Sequence, residues 1–162
     1  MLNLYKSTLL LFTIFFSIFI INFYYTKYLY TNKKFNQKLL IKNYMGFIFI
    51  IFGLLKLYDL PKFSNIFSKY DIISKQFKYY AFIYPFIEII IGFLMLKNIY
   101  IDKANFFVII LMIISLISVS LSIFNGLNLR CGCLGSFFHI PLSYITISEN
   151  IIMLFMAINL LE

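Results

Sequence analysis

The stretch Asn105–Phe124 reads NFFVIILMIISLISVSLSIF. It carries no charged side chain and matches the ~20 residues with which an α-helix crosses the ~30 Å hydrocarbon core of a bilayer. Working outward, three more apolar runs of this kind flank it. Tyr79–Leu96 precedes it and contains Pro85 and Glu88. Tyr44–Leu57 comes earlier and is closed by Asp59 and Pro61, with Leu39–Ile41 available to lengthen it. Ser143–Leu161 follows. A fifth run, Thr8–Tyr25, leads the chain behind Lys6. It has the look of a signal peptide, but Ile20-Ile21-Asn22-Phe23 offers no small-residue cleavage site, so an uncleaved span is expected. The expected fold is an all-α integral membrane protein: a four-helix transmembrane bundle preceded by one extra transmembrane helix. Residues 1–42 hold the leading helix and a Lys-rich connector, and residues 43–162 form the four-helix domain.

Composition agrees. The 162 residues are 62% hydrophobic and 12% charged, against about 45–50% and about 25% in soluble domains. The 21 Phe and 13 Tyr fit an AT-rich coding sequence, and no aromatic binding site is read from the count. A net charge of +8 does not point to nucleic acid, because the lysines fall in the gaps between apolar runs, where they meet lipid headgroups. The lipid bilayer is the partner these residues define.

One gap differs from the others. Between the second and third spans, Phe63, Ile66, Phe67, Tyr70, Ile73 and Phe77 recur at helical spacing, while Lys62, Asn65, Lys69, Asp71, Lys75 and Lys78 fill the opposite face. This pattern predicts an amphipathic helix lying in the membrane interface; an ordinary surface loop is the alternative. In the fourth span, Ser115, Ser118 and Ser122 form a small-residue stripe, read as helix packing without chemistry.

The chemistry-bearing segment is Cys131-Gly132-Cys133-Leu134-Gly135, which holds both cysteines of the chain. Two thiols this close form a reversible disulfide or clasp a soft metal ion. Arg130 precedes them, and a neighbouring cation favours the thiolate. Gly132 and Gly135 permit a tight backbone. A ring this small makes a labile disulfide the stronger reading and a structural one the weaker. His139 flanks the loop as a candidate base or ligand, although a lone loop histidine is more often neither.

Counting five spans places this loop, the amphipathic connector and the N-terminus on one side of the membrane. The 14 Lys and Arg residues divide evenly between the sides. The dense cluster Lys27, Lys33, Lys34, Lys38 and Lys42 favours the opposite side as cytoplasmic, which would make the cysteine loop extracytoplasmic at a bacterial inner membrane. Three ionisable residues also approach the loop's side. Lys56 ends the second span, Glu88 lies ~13 Å into the third at 1.5 Å per residue, and Glu149 lies near the start of the fifth. Ionisable groups at such depth normally face the bundle interior or a partner. They suggest a polar pocket beneath the dithiol. The plain alternatives are a snorkelling Lys56 and a Glu149 that serves the helix dipole; Glu88 is the hardest to explain away.

The ordered set Gly53-Leu54-Leu55-Lys56-Leu57, Phe63, Tyr84-Pro85-Phe86-Ile87-Glu88 with Gly92, the C-G-C-L-G loop and Pro141-Leu142-Ser143 resembles the MauE branch of the DoxX-like membrane proteins. That branch shows a G-x-x-K-L span end, a P-x-x-E-x-x-x-G span and a C-x-C-[FL]-G loop before its last helix. The resemblance covers residues 43–161, and the leading helix lies outside it. It implies a redox-associated role: maturation of methylamine dehydrogenase, whose small subunit needs many disulfides, alongside a thioredoxin-like or other redox partner. Cys131 and Cys133 would be the redox pair, and Lys56 and Glu88 the matching pocket positions.

Thiol–disulfide exchange at the membrane surface is therefore the leading expectation. No cofactor is identifiable; a quinone or another membrane partner would take the electrons, though no residue marks one. The alternatives are soft-metal handling, with Cu(I) or Hg(II) held by Cys131 and Cys133 with Met112, Met153 and Met156, and a non-catalytic adaptor for a redox partner. The methionines all lie in spans, where Met is commonly core filler.

Overall fold

The computed structural model of the chain describes residues 2–29, 37–126 and 144–161. Every regular element among them is a helix: α1 Leu2–Leu29, α2 Gln37–Tyr58, α3 Leu60–Tyr70, α4 Ile72–Gln76, α5 Lys78–Lys97, α6 Ile101–Phe124 and α7 Tyr144–Asn159. Helices α2, α5 and α6 are long and apolar enough to cross a membrane. At 1.5 Å per residue, the 28 residues of α1 extend ~42 Å. The 16 residues of α7 extend only ~24 Å, so the fifth run is shorter as a helix than its apolar sequence. The outer faces are apolar, as lipid demands. Phe86, Ile90 and Phe93 of α5 and Phe106, Ile110, Ile113, Ile117 and Leu121 of α6 are all exposed.

Helices α2 and α5 run antiparallel and approach closely where side chains are missing. A Cβ on Gly92 would lie 2.7 Å from the Gly46 carbonyl oxygen, and one on Gly53 would lie 2.9 Å from the Pro85 carbonyl oxygen. Without water, helices associate by such close packing. Pro85 cannot donate to the carbonyl one turn back, and α5 nevertheless continues through it to Lys97.

Helix α1 is docked by aromatic and polar contacts. Phe15 meets Phe52 edge-on at 5.6 Å, and Tyr25 meets Phe47 at 5.2 Å. Nearer the opposite end, the Asn43 amide donates to Thr26 Oγ1 (3.2 Å), Thr26 donates to Asn22 Oδ1 (3.2 Å), and Asn22 donates to the Leu40 carbonyl (3.1 Å). Each group in this chain is satisfied by the next, which makes burial in an apolar medium tolerable. Lys42 joins that end to the α5–α6 turn by donating to Asn98 Oδ1 at 2.7 Å. Asn98 closes α5 in the left-handed conformation, with φ 61°. Between this end and the middle of the bundle lies an apolar layer in which Met45, Met95, Val108 and Ala157 are wholly buried. Asn105 pins α6 to α7 there, donating to the Ala157 carbonyl at 2.7 Å.

The amphipathic connector is helical, with a break and an inward face that its pattern does not announce. Asp59 caps α3 by accepting from the Lys62 amide (3.3 Å). Asp71 then interrupts the helix: its backbone amide donates to the Phe67 carbonyl, and its carboxylate accepts from the Ser74 amide (2.7 Å). Ser118 holds this junction to α6, with its Oγ 3.4 Å from Asp71 Oδ2 and accepting from the Ile72 amide at 3.1 Å. Ser118 thus tethers α4 and is more than a small packing residue. Phe63, Phe67 and Tyr70 are buried against Ala81, Tyr84 and Val119, so the apolar face of α3 closes the bundle end.

Candidate functional site

The close approach of α2 and α5 at Gly53 sets the geometry of the site. Lys56 lies one turn beyond Gly53 and Glu88 one turn beyond Pro85. Their side chains meet, with Lys56 Nζ 2.5 Å from Glu88 Oε1 and both residues about 95% buried. Lys56 therefore turns into the bundle; it does not snorkel. Its ammonium sits 4.9 Å from the Tyr84 ring centroid and 5.7 Å from that of Phe63. Cation–π attraction is largest when desolvated, as here. Phe63, Phe67 and Tyr84 stack beyond it, with Phe67 and Tyr84 4.7 Å apart.

The pair faces a cavity of about 50 Å³ lined also by Tyr70, Met112, Ser115, Glu149, Asn150 and Met153. That is above the ~15 Å³ a cavity needs to admit water. Asn150 donates to Ser115 Oγ at 3.1 Å. Glu88 Oε2 and Glu149 Oε1 are buried without a hydrogen-bond partner among the described residues. One ammonium and two carboxylates thus share a small polar space inside an otherwise apolar bundle. Such a set can hold water, and it can accept or return a proton.

Lys56, Glu88 and Glu149 come together across α2, α5 and α7. Tyr84, Tyr70, Ser115 and Asn150 join them and are not singled out by sequence reasoning as pocket members. Two of these had a local signal: Tyr84 lies one turn before Glu88 on the same face, and Asn150 adjoins Glu149. Of the proposed methionine set, Met112 and Met153 line this cavity, whereas Met156 lines a separate groove with Leu40, Ile41 and Tyr44. Arg130, Cys131, Cys133 and His139 lie outside the described residues. The helices on either side of that segment reach the closed bundle end, since Ile123 of α6 and Ile147 of α7 both pack against the Phe63–Phe67–Tyr84 cluster.

Fold and site together define a helical integral membrane protein with a buried Lys–Glu pair beneath a helical cap. The family model of methylamine utilisation protein MauE matches residues 38–161, and the chain belongs to this family. The match spans α2 to α7 and leaves α1 outside. It makes the chain a membrane protein associated with methylamine utilisation. Neither the curated proteins nor the solved structures contain a match to it.

Proposed function

We propose that the chain is a membrane thiol–disulfide redox protein that assists disulfide formation or maturation of an extracytoplasmic partner. The observation that carries this reading is the buried Lys56–Glu88 pair. It faces a water-sized cavity at the bundle end that Ile123 of α6 and Ile147 of α7 both reach. Membership of the methylamine-utilisation family supports it, and methylamine dehydrogenase is the partner we propose. The membrane is then the bacterial inner membrane, with the cysteine loop on its extracytoplasmic side.

In the oxidising direction, a partner thiolate attacks the Cys131–Cys133 disulfide, breaking its S–S bond and forming a mixed disulfide. The partner's second thiolate attacks that bond. The partner leaves oxidised, and two electrons and two protons remain with the Cys131–Cys133 dithiol. Reoxidation hands the electrons to a membrane acceptor, for which a quinone has suitable chemistry. The dithiol's two protons leave with the electrons and complete the quinol, relayed by the Glu88 and Glu149 carboxylates, with Lys56 holding Glu88 in place. Thioredoxin-like proteins are the expected exchange partners.

Mixed-disulfide trapping tests the reading. Cys131→Ser and Cys133→Ser variants, purified under alkylating conditions, are expected to retain a covalently bound redox or substrate protein from one of the two. Recovery of none from either sinks the idea. Met112 and Met153 at the cavity favour a second reading, Cu(I) handling. It predicts stoichiometric Cu(I) binding that disappears in the double Cys→Ser variant; redox cycling without metal counts against it.

A further inference from the structure

The outward face of α3 and α4 is not a plain solvated surface. It forms one wall of a groove of about 470 Å³ whose other wall is the first turns of α5. Lys69 and Lys75 come from the connector and Lys78 from α5, and no acidic residue lines the groove. All three lysines are exposed, and none has a carboxylate within 4.0 Å among the described residues. Ser64 and Ser74 line the groove as well. Ser74 is wholly buried, and its Oγ has no hydrogen-bond partner among the described residues. The groove thus presents three cations, with no opposing charge in its lining, to whatever ligand it holds.

The membrane end of the groove identifies that ligand. Phe82 lines it and begins the exposed apolar stripe of α5 that continues through Phe86, Ile90 and Phe93. A free anion would meet lysines and hydroxyls at the top and bare aromatic surface below. A phospholipid meets both, with phosphate among the lysines and acyl chains along the stripe. We infer that the groove between α3–α4 and α5 seats the phosphate of an anionic phospholipid, with its acyl chains lying on the outer face of α5. Cations at a membrane surface attract anionic lipid additively, and three converge here. Bound there, the lipid would bridge the connector to α5 and hold the cap over the Lys56–Glu88 cavity.

The test uses the full chain purified in detergent and offered equal amounts of phosphatidylglycerol and phosphatidylcholine, with retained lipid counted by native mass spectrometry. Phosphatidylglycerol is expected to be retained about ten-fold over phosphatidylcholine. Lys69→Gln/Lys75→Gln/Lys78→Gln brings the ratio near one. Lys103→Gln at the opposite end leaves it unchanged, and millimolar inorganic phosphate does not displace the lipid. Equal retention of the two lipids by the unaltered protein overturns the inference, as does a preference that survives the triple substitution. Displacement by inorganic phosphate overturns it in favour of a free-anion site, and retention of an acidic peptide in place of lipid overturns it in favour of a protein-docking surface.

Discussion

Substituting Lys56 alone strands the Glu88 carboxylate in an apolar bundle. Breaking a buried pair this way costs about 3–5 kcal/mol, whereas replacing both partners by apolar residues is often neutral or stabilising. Lys56→Met is therefore expected to lower stability by about 3–5 kcal/mol in detergent unfolding. Lys56→Met with Glu88→Leu should return it to the starting value or above, while under the proposed function maturation of the partner would stay lost. A Lys56→Met variant as stable as its parent would mean that the pair carries no buried charge. At this scale the sequence was readable in part. Glu88 stands mid-span, where a carboxylate needs a reason. The inward turn of Lys56 was not readable, because a lysine at a helix end satisfies lipid equally well by snorkelling. What decides is the aromatic pair Phe63 and Tyr84, contributed by two other helices.

Among the elements, the α2–α5 contact is the most sensitive. Gly92→Ala places a Cβ 2.7 Å from the Gly46 carbonyl oxygen, a backbone atom that moves only if the helices part. A loss of about 1–3 kcal/mol is expected, together with weaker Lys56–Glu88 pairing. Retained stability in unfolding measurements would show that the helices are not held at this distance. The cap has its own weak point. Asp71→Ala removes the α4 cap and the contact with Ser118, and should cost about 1–2 kcal/mol. Asp71→Asn retains an accepting oxygen and should cost less. Faster amide hydrogen exchange over residues 60–76 in the alanine variant, spared in the asparagine variant, is the expected signature. Equal exchange in both would place the tether elsewhere. The helical period of this connector was evident from Phe63 onward, but its break was not. Asp71 reads locally as one more polar-face residue, and the Ser118 that fixes it comes from α6, far along the chain.

Over the whole molecule, α5 makes one crossing between Lys69 and Lys103. Single cysteines introduced as Lys69→Cys and Lys103→Cys, in a background with both native cysteines replaced by serine, should therefore label from opposite membrane faces with an impermeant maleimide. Lys69→Cys is expected to react from outside the cell. Labelling of both from one face contradicts the single crossing, and labelling of Lys69→Cys from inside reverses the orientation proposed for the dithiol loop. The spans α2, α5 and α6 were legible because their apolar runs are interrupted at lysines, Asp59 or turn residues. The docking of α1 was not legible. Asn22, Thr26 and Asn43 look like scattered polar residues until the helices bring them into one hydrogen-bonded chain.

The apolar layer of Met45, Met95, Val108 and Ala157 bears on the proposed redox role. It separates the Lys56–Glu88–Glu149 cavity from the Lys42–Asn98 end, so the charged pocket has a floor as well as a cap. A carrier handling protons within a coupling membrane must not become a wire for them. Under the proposed redox role, protons handled in the pocket would exchange with the capped end alone, and turnover would leave the transmembrane proton gradient intact.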